Sequence, residues 1–191
     1  MNWHFVGLTI VALAVGACGD SSLPDSAEVD NPNIATAEAL IDAFYSFDGD
    51  ALRATLVFAE ASIPQILYYQ GWAEGGNYEV LNRMPCVVDD EENISCSITV
   101  KDDLIEALDL DVNVTDTFHL TFSGNRVVHV ETSSNDPDAY YEAQSWVEEN
   151  RPGLINEPCR GFFAGGPTPG ECVKAMVRGY AEFAASGGRS E

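Results

Sequence analysis

The sequence predicts an α+β domain, and three observations carry that prediction. Apolar residues recur at helical spacing early in the chain, from Ala39 to Leu67, and again near its end, from Val173 to Phe183. Between them the period changes to two. Asp116, Phe118, Leu120 and Phe122 share one face of a strand, and Thr117, His119 and Thr121 share the other. The composition, 46% hydrophobic and 10% aromatic, suits a chain that buries a core. Helices first, a meander of strands next and helices last is an α+β order.

Each element has its own local reason. Thr36 is the expected cap of the first helix, in which Ala39, Leu40, Ala43, Phe44 and Phe47 form an apolar stripe. Asp48-Gly49-Asp50 interrupts it. Leu52 to Leu67 continues as helix with a break near Pro64, and Tyr68, Tyr69 and Trp72 follow. Gly71, Gly75 and Gly76 then loosen the chain. Tyr78 to Val88 reads as a strand, Asp89 to Asn93 as a hairpin loop, and Ile94 to Val100 as the returning strand. Lys101 to Leu110 fits either a short helix or an irregular strand extension. Asp116 to Phe122 and Arg126 to Thr132 form a hairpin around Ser123-Gly124-Asn125. Asn135 or Asp136 caps the next helix, which carries Pro137 near its first turn and stops at Arg151-Pro152. A Gly- and Pro-rich loop, Cys159 to Gly170, leads to the last helix, Glu171 to Ala185.

The N terminus reads differently from the rest. Phe5 to Ala17 is apolar but shorter than the roughly 20 residues a membrane span requires. It fits the apolar region of a signal peptide. Val15-Gly16-Ala17-Cys18 resembles the lipobox of bacterial lipoproteins, in which cleavage precedes a cysteine that receives lipid. That resemblance implies a signal peptide over residues 1–17 and a mature chain anchored through Cys18 to a membrane of the bacterial cell envelope, outside the cytoplasm. Two or more acyl chains on that cysteine give stable anchoring. An ordinary secretory signal is the alternative. Residues 18–33, acidic and with two prolines, read as a flexible tether, and 34–191 as the folded domain.

Charge narrows the partners. The chain has 31 acidic and 9 basic residues, a net charge of −22. Such a surface repels nucleic-acid phosphates, so no nucleic-acid partner is expected. Four cysteines follow Cys18. In an exported chain they suggest two disulfides, and of three pairings the spacing favours Cys86–Cys96 and Cys159–Cys172. Positions 86 and 96 are symmetric about Glu91, so a hairpin there sets the two cysteines opposite each other.

Two segments, and the order of the elements between them, carry a family resemblance. Residues Ala37 to Phe44, leading to Asp48-Gly49-Asp50-Ala51-Leu52, resemble the first helix and small-residue turn of the nuclear transport factor 2-like superfamily, whose bacterial members are called SnoaL-like. Asp116-Thr117-Phe118-His119-Leu120-Thr121-Phe122 with Ser123 to Val127 is similar to its penultimate hairpin. The resemblance covers about 34–133. It implies a cone, a curved antiparallel sheet packed on the N-terminal helices around a pocket. The helices after 137 are extra. It also implies dimerisation through the sheet face.

Within that frame Asp116 is the candidate acid–base carboxyl, because it shares a strand face with three apolar residues. Burial there raises a carboxyl pKa towards neutrality. Tyr45, Tyr68, Tyr69 and Trp72 are candidates for the pocket, each with an apolar face and all with a polar handle. No residue of Ala59 to Pro64 matches the catalytic aspartate of the family's isomerases; Glu60 is equivalent in position only.

Other chemistries are poorly supported. Asp109-x-Asp111-x-Asn113 starts like a calcium loop but has Val114 where glycine is needed and Leu120 where glutamate is needed. His119 and His129 read as a pair on the polar sheet face. There is no nucleophile elbow, phosphate loop or dinucleotide fingerprint, so neither a metal nor a cofactor is expected. The reading that follows is a lipid-anchored pocket domain binding a small apolar ligand or a protein. An acid–base enzyme using Asp116 with a tyrosine, and an envelope structural protein, are the alternatives.

Overall fold

A computed structural model describes residues 31–89, 93–160 and 170–188. The expected signal peptide, Cys18 and most of the tether lie outside the described residues, as do Asp90 to Glu92 of the hairpin tip and residues 161–169. The domain is α+β. Its helices are α1 (Pro32–Tyr45), α2 (Gly49–Thr55), α3 (Ile63–Gly75), α4 (Asp103–Ala107), α5 (Asp138–Asn150), α6 (Pro152–Ile155) and α7 (Gly170–Ala185). Its strands are β1 (Glu79–Arg83), β2 (Val87–Val88), β3 (Ile94–Lys101), β4 (Val114–Ser123) and β5 (Arg126–Ser134). They form one antiparallel sheet in the order β1-β3-β4-β5, with β2 also pairing β3.

The first helix begins earlier than its expected cap. Asn31 is the cap, its side chain accepting from the Asn33 amide at 3.0 Å, and Pro32 opens the helix where no amide is needed. Thr36 lies one turn inside and donates to the Pro32 carbonyl. The helix buries Ala37, Leu40, Ile41 and Phe44; Ala39, expected on the apolar stripe, is exposed. Asp48 caps α2 by accepting from Asp50 and Ala51. Pro64 starts α3 rather than breaking a helix, because proline is tolerated in the first turn. Tyr68, Tyr69 and Trp72 are therefore helical.

The strand expected over Tyr78 to Val88 is interrupted. Pro85 has no amide to give the ladder, and the Cys86 amide donates instead to Glu38 of α1 at 2.8 Å. Arg83 reaches both Glu38 and Asp42 of the same helix. The sheet edge is thus fastened to α1 at the break. Val87 pairs with Ser95 and Val88 with Ile94, a register that sets Cys86 opposite Cys96, and the two form a disulfide. Cys159 and Cys172 form the second.

Asp102 settles the ambiguous stretch after β3. Its carboxylate accepts from the Leu104 and Ile105 amides at 2.8 and 2.9 Å and so starts the short α4. The β4–β5 turn passes through Gly124 at φ 61°, a left-handed conformation that favours glycine.

One sheet face is apolar and lies under the helices. Ile94, Cys96, Ile98 and Val100 of β3 pair with Leu120, Phe118, Asp116 and Val114 of β4, all buried. The other face is hydroxyl-lined: Ser97 bonds Thr117 and Thr99 bonds Thr115 across the strands, at 3.1 and 3.0 Å. Ser95 and Ser133 bond His119. Helix α7 buries Val173, Met176, Tyr180 and Phe183 and packs on α3, α4 and α5. A Cβ on Gly179 would lie 2.4 Å from Val147 of α5, so the absent side chain sets that close approach. Among the described residues no helix is long and apolar enough to cross a membrane.

Candidate functional site

A cleft of about 490 Å³ opens between α3, the end of β5 and the start of α5. Helical spacing builds two of its walls. Tyr68 and Trp72 lie four residues apart on α3, with Tyr69 beside them, and Tyr140 and Gln144 stand in the same relation on α5. Tyr78, Tyr141, the β5 residues Thr132, Ser133 and Ser134, and Asp136 complete the lining. The volume falls in the range of small-molecule sites, about 300–1,000 Å³.

The rings are held by neighbours. Tyr68 and Trp72 stack with centroids 6.5 Å apart. Tyr140 meets Tyr180 of α7 edge-on at 5.3 Å. Trp72, Tyr78 and Tyr140 are nearly buried, so much of the wall is rigid.

Asp136 was expected as a helix cap, but Pro137 holds that position and makes no side-chain cap bond. The alternative cap, Asn135, accepts from the Thr115 amide at 2.6 Å. The Asp136 carboxyl instead receives the Tyr141 hydroxyl at 3.2 Å, with Ser134 near it. Burial raises its pKa above the usual carboxylate value.

Asp116 lies behind the wall and is absent from the lining. It pairs with Ile98 on one side and with the wall residue Ser134 on the other, and it is 1% exposed. The Tyr45 hydroxyl faces its Oδ2 at 3.5 Å. Tyr69 bears on the same carboxyl, yet Oδ1 is buried without a hydrogen-bond partner; the Tyr69 contact is therefore a loose one. Phe44 and Phe118 pack on these tyrosines. In that apolar setting burial pushes the Asp116 pKa up to about 7; the Tyr69 hydroxyl opposes the rise, and the charges of Asp136 and Asp102 add to it. Burial and the facing carboxyl drive Tyr45 and Tyr69 well above the ordinary phenol value. Gln70 fixes this geometry, donating to the Ala43 and Phe44 carbonyls at 3.1 and 2.9 Å and locking α3 to the end of α1.

The structure thus brings Tyr68, Tyr69 and Trp72 to one cleft and puts Tyr45 with Asp116 behind it. The residues that sequence reasoning missed are Tyr78, Asp136, Tyr140, Tyr141 and Gln144. The α5 residues carried an available signal, since Tyr140, Tyr141 and Gln144 fall at neighbouring positions of an amphipathic helix.

His129 bonds Ser62 at 3.2 Å and Glu131 at 3.0 Å, a series reminiscent of a hydrolytic triad. Ser62 is 4% exposed and its Oγ already accepts the Val130 amide, so it serves to tie the start of α3 to the edge of β5. Among the described residues no three His, Cys, Asp or Glu side chains are grouped to hold a metal ion.

No protein-family model, characterised protein or solved structure matches this chain. The likeness to the nuclear transport factor 2-like superfamily rests on its short motifs.

Proposed function

We propose that this is a non-catalytic small-ligand-binding domain, held at the bacterial cell envelope by lipid on Cys18 and built on a variation of the nuclear transport factor 2-like cone. One observation carries the binding reading: a preformed aromatic cleft from which the best acid–base carboxyl, Asp116, is walled off. A catalytic acid or base must come within hydrogen-bond reach of its substrate, and Asp116 reaches no further than Tyr45 and Tyr69. A rigid wall of rings with a few polar groups is what a binding site requires.

The test is a ligand-observed NMR screen of amphipathic small molecules against the full chain and its Trp72→Ala variant. Saturable hits that weaken at least tenfold in the variant support the reading. Hits that bind both chains equally contradict it.

The enzyme reading has one specific support, the contact between cleft-lining Tyr69 and a carboxyl that titrates near neutrality. On that reading Asp116 acts through Tyr69, and turnover of any hit would vanish in Asp116→Asn while binding persisted. Turnover that survives the substitution removes it.

A further inference from the structure

We propose, resting on the binding reading above, that the cleft selects an organic cation: an alkylated ammonium group on an apolar body.

The chemistry of the walls points there. Six aromatic side chains, those of Tyr68, Tyr69, Trp72, Tyr78, Tyr140 and Tyr141, border the space. Aromatic faces carry negative potential and attract ammonium groups, Trp most strongly. The lining holds one carboxyl, Asp136, and among the described residues no Lys, Arg or His. Asp136 accepts a hydrogen bond from the Tyr141 hydroxyl, and no base stands among the lining residues.

The consequences differ by ligand class. A neutral ligand that fills the cleft strips water from Asp136 and gives its charge no counterpart, which is costly. An anion meets Asp136 directly, on a chain of net charge −22. A calcium or magnesium ion needs about six or more oxygens around it, and a zinc ion needs several His, Cys or carboxylate ligands; the lining has a single carboxylate and neither His nor Cys. An organic cation neutralises Asp136, places its alkyl groups on the rings and requires no ligand set. The long-range field of the chain concentrates it at the entrance.

The experiment uses the full chain with two probes of equal shape, choline and its uncharged isostere 3,3-dimethyl-1-butanol, titrated by saturation-transfer NMR. Choline is expected to bind about tenfold more tightly, the factor that ~1.4 kcal/mol of charge and cation–π attraction provides. In Asp136→Asn, of the same shape but uncharged, the ratio of the two affinities falls to the smaller value that the rings alone supply. In Trp72→Leu, which keeps an apolar wall and removes the ring, the ratio also falls. Thermal unfolding of both variants establishes that they are folded. Equal binding of the two probes to the unmodified chain, or an unchanged ratio in folded Asp136→Asn, overturns the cation proposal. Absence of choline binding overturns it too. In each case screen hits that still weaken in Trp72→Ala leave the binding reading standing, whereas hits indifferent to that variant remove both.

Discussion

Asp116 is the residue at which burial and chemistry meet most sharply. A carboxyl that titrates near 4 in an unfolded chain titrates at about 7 inside this fold. The folded state therefore holds the proton over a window from about pH 4 to 7 in which the unfolded state has lost it. Stability contributed by this group is complete below pH 4 and declines as pH rises through 7. Asp102, pushed up to about 6 mainly by burial, acts in the same direction. Asn at position 116 keeps the shape and an acceptor for Tyr45 but never charges. Asp116→Asn is therefore expected to be more stable than the parent at pH 8 and to lose that advantage towards pH 5. Urea unfolding of both chains at the two pH values checks this. An advantage that does not change with pH would mean that Asp116 is not titrating in the fold.

At the scale of the element, close approaches decide more than propensity. Helix α7 reaches α5 because Gly179 presents no side chain to Val147. Gly179→Ala must push the helices apart and should cost about 1–3 kcal/mol. For a domain of this size that is a fall of several degrees in the unfolding temperature. Since α5 carries Tyr140 and Gln144 into the cleft, affinity for any cleft ligand should fall with it. Scanning calorimetry checks the first effect, and an unchanged midpoint would place the helices further apart than described.

The same elements show what the sequence could reveal. Alternation made β4 legible, and symmetry about Glu91 made the Cys86–Cys96 pairing legible, because both depend on local spacing. Caps were harder. Asn31 competed with Thr36 for α1 and won because Pro32 sets the first turn. Asp136 looked like a cap, and Pro137 displaced it into the cleft. The break at Pro85 depended on Glu38, nearly fifty residues away, offering the Cys86 amide another partner. The inward face of β4 was evident in the sequence, which is why Asp116 stood out. That Tyr45 and Tyr69 would converge on it depended on Gln70 locking two helices together, and no local pattern encodes that contact.

On the scale of the whole molecule, two expectations join: a chain anchored at Cys18 and a cleft in the domain that follows. Mass spectrometry of the mature protein should find an N terminus at Cys18 carrying diacylglycerol. Cys18→Ser should release the domain from the membrane fraction without weakening ligand binding. A mature chain that starts elsewhere without lipid would favour an ordinary secretory signal.

The most direct test of the central claim uses Trp72 as a reporter. The chain has three tryptophans, so replacing Trp3 and Trp146 with phenylalanine leaves Trp72 as the sole indole, 7% exposed at the cleft wall. Titration of this full-length variant with the tightest ligand from the screen is predicted to change its fluorescence saturably, with the same dissociation constant that NMR reports. Saturable binding by NMR with no change at Trp72 would contradict the account, because the ligand would then occupy another part of the molecule.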